Sequence, residues 1–319
     1  MTTISRREFL SSAASCSSHL ALAALATSAT ARALWALPHG PVLAREPFGN
    51  LELVADGVWA LISTPLSGDR TTLSNGGIIA GRNGVLAIEG FNQPQGAQWL
   101  AAKSRELTGR WPTHVVLTHY HADHANGVAG YLSGGEKPLV HATAATRGLV
   151  LERNVPSDAE RTDALKDAAV IDAATASDIE LGGRRVRIIP RAGHTPSDCS
   201  LELDDPSVVF CGDLVWNGMF PNYVDAVPSE LARSVQALRR TRATTYVPGH
   251  GAIARQPDFD RYQSMLAEIE HAARTAHARG QTAPEAGAAY ALPASLGEWL
   301  LFNKVFFERA FGAWYKEFA

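Results

Sequence analysis

The sequence predicts one mixed α/β domain, and three observations carry that reading. Short runs of β-type residues bounded by turn signals alternate with stretches of helical periodicity. The 319 residues, 46% of them hydrophobic, are ample for a large apolar core. No internal repeat or long linker divides the chain.

The elements follow in order. Residues 34–47 are Pro-rich and read as a surface arm ahead of a domain spanning 48–319. β-type runs are expected at Leu51–Val54, Val58–Ile62, Gly77–Ala80 and Val85–Ile88, with Asp56-Gly57 and Arg82-Asn83-Gly84 as turns. A helix from Pro94 to Leu107 has Pro in its first turn and Ala97, Leu100, Ala101 and Leu107 on one face. Thr113–Leu117 reads as a strand running into His119. A second set comprises Leu139–His141, a helix near 142–152, and runs at Arg185–Ile189, Ser200–Leu203 and Val208–Cys211. A helix over 229–239 and a strand at 245–247 follow. From Asp258 the reading is helical, with Tyr262, Met265, Leu266, Ile269 and Ala273 spaced for one buried face. Eight aromatics crowd 299–318, and Trp299, Phe302 and Phe306 are expected to share a helical face. They read as intramolecular packing, with a cover over a site mouth or a dimer contact as alternatives.

Composition narrows the function. There are 29 Lys plus Arg against 32 Asp plus Glu, a net charge of −3, and no long basic run, so nothing points to nucleic acid. Three cysteines are too few for a disulfide scaffold or a four-cysteine zinc site. Ser5-Arg6-Arg7-Glu8-Phe9-Leu10, an uncharged Ala/Ser/Leu stretch and Ala31-Arg32-Ala33 resemble a cleaved bacterial twin-arginine export signal over residues 1–33. Its removal takes away three basic residues and one acidic, leaving a charge of −5. The expected location is the periplasm, without stable membrane insertion of the mature chain, since no later stretch reaches 18 uncharged apolar residues.

The chemistry concentrates at Thr118-His119-Tyr120-His121-Ala122-Asp123-His124, three imidazoles and a carboxylate just after an apolar strand. Buried without a ligand, these groups could not all find partners. A divalent metal resolves this, since imidazole nitrogen and carboxylate oxygen suit zinc, and a loop lets alternate residues face two adjacent ions.

The string resembles the His-x-His-x-Asp-His motif of the metallo-β-lactamase superfamily. Gly193-His194-Thr195-Pro196, Gly212-Asp213 and Pro248-Gly249-His250-Gly251 resemble its later motifs, in order, over roughly residues 50–255. The resemblance implies a four-layer αβ/βα sandwich with metals held by loops at one edge of two sheets. It implies His119, His121 and His194 on a first metal, Asp123, His124 and His250 on a second, and Asp213 bridging. Two Zn²⁺ per chain are expected, iron or manganese being alternatives. The metal pair would activate a shared hydroxide towards an acyl carbon, with Asp123 orienting the nucleophile. Thr118 and Thr195 either fix imidazole orientation or simply close turns. Glu89-Gly90 stands where many relatives have Asp-x-Gly or Asp-Gly, which puts the supporting role of that Asp in doubt. Ser197 stands where Gly is frequent.

The expected activity is periplasmic dinuclear zinc hydrolysis of a small-molecule thioester, ester, lactone or lactam. The stretch from Gly212 to Pro221 resembles a hydrolase subgroup associated with sulfur oxidation or quinoprotein systems. Trp216, Phe220 and Tyr223 either line an acyl pocket or pack in the core. Asp213 is typical of glyoxalase-II-like and lactonase-like relatives rather than of metallo-β-lactamases, which keeps β-lactamase activity an alternative. A mononuclear iron oxidoreductase similar to a persulfide dioxygenase is a second alternative, and a non-catalytic metal-binding protein a third. The oligomeric state stays open. His114 reads as a core or hydrogen-bonded residue, His141 as that or as a supporting group near the site, and His271 and His277 as solvated. If Leu203 faces Ser207 in a hairpin, Cys199 falls opposite Cys211; both thiols are expected to be free and buried all the same.

Overall fold

Two sheets packed face to face organise the molecule, described here from a computed structural model over residues 40–134, 136–154 and 156–319. The export signal at 1–33 and the first residues of the 34–47 arm lie outside these. The first sheet has eight strands in sequence order: β1 (Val42–Glu46), β2 (Gly49–Ala55), β3 (Val58–Ser63), β4 (Gly76–Ala80), β5 (Val85–Ile88), β6 (His114–Val116), β7 (Leu139–Thr143) and β8 (Ala169–Ile171). Strands β1 to β5 pair antiparallel, and β5 to β8 pair parallel. Parallel neighbours need crossovers, which the helices supply. These are α1 (Pro94–Thr108), the one-turn α2 (Ala122–Ala125), α3 (Ala144–Arg153) and α4 (Ala159–Lys166). The second sheet holds β9 (Ser177–Glu180), β10 (Arg185–Arg191), β11 (Asp198–Leu203), β12 (Val208–Asn217) and β13 (Thr245–Gly251), in the order β13-β12-β11-β10-β9. Around it lie α5 (Pro228–Leu238), α6 (Gln256–Ala278), α7 (Ala283–Ala289) and α8 (Val305–Phe318).

Three apolar clusters fill the spaces between four layers. Val58, Ala60 and Ile79 of the first sheet meet Ile188, Leu201 and Phe210 of the second. The outer face of the first sheet buries Leu100 and Ala101 of α1 and Val150 of α3. The outer face of the second buries Val235 of α5, Ile269 of α6 and Phe311 of α8. This is the expected αβ/βα sandwich. It follows from strands apolar on both faces, such as the wholly buried β3 and β12, which need cover on each side.

Three expectations need correction. Residues 42–46, read as part of a surface arm, form edge strand β1, whose Val42, Ala44 and Glu46 face inwards alternately with exposed Leu43 and Arg45. Residues 290–304, read as helix, are largely irregular. Pro293 and Gly297 interrupt the pattern, and Leu300 bridges to Met219 instead. Trp299 and Phe302 therefore precede α8 and share no helical face with Phe306.

The third correction concerns register. Leu203 pairs with Val208, so the hairpin is shifted by one residue from the expected alignment. A one-residue slip exchanges faces. Cys199 accordingly packs between the sheets, whereas Cys211 packs under the outer helices. Both thiols are free and buried, as expected, but on opposite faces of the sheet.

Candidate metal centre

The strand ends at one edge of the sandwich converge on a single cluster. Strand β6 ends at Val116, and the chain then turns through His119 and His121 into α2, which carries Asp123 and His124. His194 lies on the turn between β10 and β11. Asp213 sits within β12, whose pairing with β13 shifts around Gly212, and His250 lies in β13. The structure thus brings all seven predicted ligands together.

Their atoms form two groups. His119 Nε2 and His194 Nε2 lie 3.1 and 3.0 Å from His121 Nδ1, and Asp213 Oδ2 lies 3.2 Å from His194 Nε2 and 3.8 Å from His119 Nε2. In the other group Asp123 Oδ2 lies 3.3 Å from His250 Nε2 and 3.7 Å from His124 Nε2. Asp213 Oδ1 stands 3.3 and 3.1 Å from the same two nitrogens. Each oxygen of Asp213 therefore addresses one group.

These spacings fit metal ions. Four atoms about 2.0–2.1 Å from a tetrahedral zinc stand roughly 3.3–3.4 Å from one another. Hydrogen bonding does not account for the second group. His124 Nε2 and Asp213 Oδ1 are buried without a hydrogen-bond partner although only 3.1 Å separates them.

The electrostatics point the same way. Burial opposes ionisation of Asp213, yet the imidazoles of His250, His124 and His194 hold its carboxyl well below the usual range. Burial likewise disfavours a charged His250, but Asp213 and Asp123 push it up to about 9. Burial, with His124 nearby, drives His119 well below its ordinary value. The carboxylates thus draw positive charge inwards, and protons and a cation compete for the same nitrogens.

Surrounding groups hold the ligands. Glu89, at the end of β5, takes the orienting role that its extra methylene had put in doubt. Its Oε1 accepts from Thr118 Oγ1 at 2.5 Å and stands 3.0 Å from His124 Nδ1, and its Oε2 accepts from the Thr118 N–H. Thr118 Oγ1 also lies 3.1 Å from His119 Nδ1, so one carboxylate reaches a ligand in each group. Glu89 has φ of 75°, a left-handed conformation a non-glycine residue keeps only when its surroundings demand it. Thr195 has the other of the two expected roles: its hydroxyl donates to Asp198 and closes the turn. Ser197, in the place of a frequent Gly, hydrogen-bonds Thr143.

Sequence reasoning missed three supporting residues. Asp198 accepts from the His194 and Thr195 N–H groups, fixing the turn that carries His194. Burial pushes its carboxyl up to about 7 although Thr195 pulls it down. Asn75 donates to Pro248 O and Gly251 O, clamping the segment around His250. Asp225 lies 3.1 Å from His121 Nε2. The Thr195-x-x-Asp198 spacing, in which the acidic side chain reaches back to the first residue's N–H, was a local signal for the first; Asn75 and Asp225 had none.

The remaining candidates settle away from the reacting groups. Trp216, Phe220 and Tyr223 are core residues, with Trp216 packed behind the centre 4.1 Å from the His250 ring. His114 and His141 pair with each other at 3.1 Å. His271 and His277 are exposed. The C-terminal aromatics pack with α6 on the second sheet.

Comparison with known proteins agrees with this geometry. The sequence profile of the Metallo-beta-lactamase superfamily matches residues 89–250, just over half of the chain. A hydroxyacylglutathione hydrolase of Parasynechococcus marenigrum (strain WH8102) is 26% identical over 156 residues, 47% of this chain and 54% of that protein. Another, from Anaeromyxobacter dehalogenans (strain 2CP-C), is 30% identical over 215 residues, 64% of this chain and 72% of that one. The chain thus spans about half the length of the first of these relatives. Among solved structures, a sec-alkylsulfatase from a Pseudomonas species superposes with a TM-score of 0.67 at 16% identity, covering 85% of this chain and 50% of that one. A metallo beta-lactamase from Erythrobacter litoralis gives 0.57 at 19%, covering 70% and 99%. At these identities the structural likeness speaks for the fold.

Proposed function

Because this chain belongs to the metallo-beta-lactamase superfamily, we propose that it is a metal-dependent hydrolase that cleaves an acyl bond of a small molecule with two zinc ions. The observation that carries the reading is Asp213, whose two oxygens address two separate ligand groups. His119, His121, His194 and Asp213 would hold one ion, and Asp123, His124, His250 and Asp213 the other. When bound, the ions supply Lewis acidity for the acyl oxygen and an activated water at neutral pH.

The chain's own residues do the rest. The side chain of Asp123 is 17% exposed, against 2% for Asp213 and for His250, so it meets the solvent side of the centre. Its carboxylate, one oxygen of which faces the second group, would orient the attacking water and receive its proton. Glu89 and Thr118 hold His124 and His119 so that their Nε2 atoms stay turned inwards. A thioester is the favoured substrate, on the strength of the hydroxyacylglutathione hydrolase relatives, with ester, lactone and lactam next. A single-iron oxidoreductase would use one ligand group only and gives no account of why Asp123, His124 and His250 converge beside it.

The test is to purify the protein, count its metals and screen acyl thioesters, lactones and β-lactams side by side. Close to two zinc per chain with acyl hydrolysis is the expected result. One metal per replete chain, with oxygen uptake and no hydrolysis, would overturn it. The arginine pair supports a further part of the reading, that the chain is exported to the periplasm by the twin-arginine route. Changing Arg6 and Arg7 together to Lys should then retain the precursor in the cytoplasm; normal export of that variant would count against it.

A further inference from the structure

Outside the ligand groups, one hydrogen-bonded cluster ties two distant segments, the end of α3 and the loop before α5, to the metal centre. Asp225 lies on the loop between β12 and α5. Its Oδ2 accepts from the Tyr120 hydroxyl and lies 3.1 Å from His121 Nε2. Arg153, at the end of α3, stands 3.6 Å from Asp225 Oδ1 and donates to the Tyr120 hydroxyl at 3.3 Å, with its guanidinium over the Tyr120 ring.

The position of His121 makes this cluster consequential. His121 turns Nδ1, not Nε2, towards His119 and His194. An imidazole that ligates through Nδ1 must carry its proton on Nε2, and the acceptor there fixes both tautomer and ring rotation. A ring free to turn would lose that geometry.

We propose that Asp225 is a positioning residue for the first metal position, holding His121 with Nδ1 inward, while Tyr120 and Arg153 hold Asp225. The inference rests on the functional reading above and adds a residue to it.

The loop does not need Asp225 for its shape. Val227 N–H donates to Gly193 O, Ala226 N–H to Tyr223 O, and Val224 N–H to Asn222 Oδ1. Asp225→Ala should therefore fold, and its effect should fall on one metal. His124 and His250, in the other group, have no contact with this cluster among the described residues and are held by Glu89 and the Asn75 clamp.

Zinc titration of the purified chain against a chromophoric chelator resolves two equivalents, and cobalt substitution gives each an absorption band. Asp225→Ala should weaken one equivalent by about tenfold to a hundredfold and shift one cobalt band, leaving the other equivalent and the melting temperature of the metal-free protein as in wild type. Asp225→Asn, which keeps an acceptor oxygen, should recover part of the loss, and Tyr120→Phe should give a smaller one. Wild-type affinity for both equivalents in Asp225→Ala would overturn the inference, as would parallel weakening of both with a lower melting temperature. Wild-type protein that takes up fewer than two equivalents would overturn the functional reading, and this inference with it.

Discussion

Asp213→Ala is expected to lower hydrolysis by about three orders of magnitude or more and to leave the chain with fewer than two metals. The side chain is 2% exposed, and each oxygen stands 3.1–3.3 Å from a histidine nitrogen of its own group. Its removal takes one of four donors from each position at once. It also leaves His124 and His250 buried without the carboxylate that most favours their charged forms. Transition-state stabilisation by a bound metal is worth several kcal/mol, and each 1.4 kcal/mol is tenfold in rate, which sets the scale. The fold should survive, because the three apolar clusters do not depend on the centre. Metal analysis, kcat/KM and circular dichroism on one preparation check all three statements. Two metals and near wild-type turnover in the variant would refute the bridging role.

What was legible in the sequence was what is contiguous in it. His119, His121, Asp123 and His124 fall within six positions, and the short motifs around His194, Asp213 and His250 follow in order. Asp225 reaches Tyr120 across 105 positions, and Asn75 reaches Pro248 across 173, so neither carries a local pattern. Strand positions were readable from apolar runs, but pairing register was not. The turn at 204–207 decides it, and one residue of error put Cys199 and Cys211 on the same face. The irregular stretch before α8 was hidden by its aromatics. Their burial looks the same to periodicity whether the backbone is helical or pinned by a bridge such as Met219 to Leu300.

Gly249→Ala should damage the centre although position 249 supplies no ligand. A Cβ built there would lie 1.9 Å from Asp213 Oδ1, 2.8 Å from the Gly212 carbonyl carbon and 2.9 Å from the Asp213 nitrogen. The conflict is one of space, since Gly249 does not have a positive φ. Neither side can give way cheaply. Asp213 and Gly212 are within β12, and Asn75 clamps the opposite segment through its own N–H to Gly249 O at 2.8 Å and its amide to Pro248 O and Gly251 O. The movable part is the Asp213 carboxylate, whose Oδ1 addresses His124 and His250. The variant should therefore bind its second metal more weakly and lose about a hundredfold in kcat/KM, the scale of a 1 Å misplacement in an active site. Gly148→Ala is the comparison: that glycine is exposed on α3 with no atom within 4 Å of the added carbon. It should keep wild-type metal uptake and turnover and gain up to about 1 kcal/mol of stability from helix propensity. If Gly249→Ala matched Gly148→Ala in metal content and turnover, the close approach of β13 to Asp213 would not be what sets the carboxylate in place.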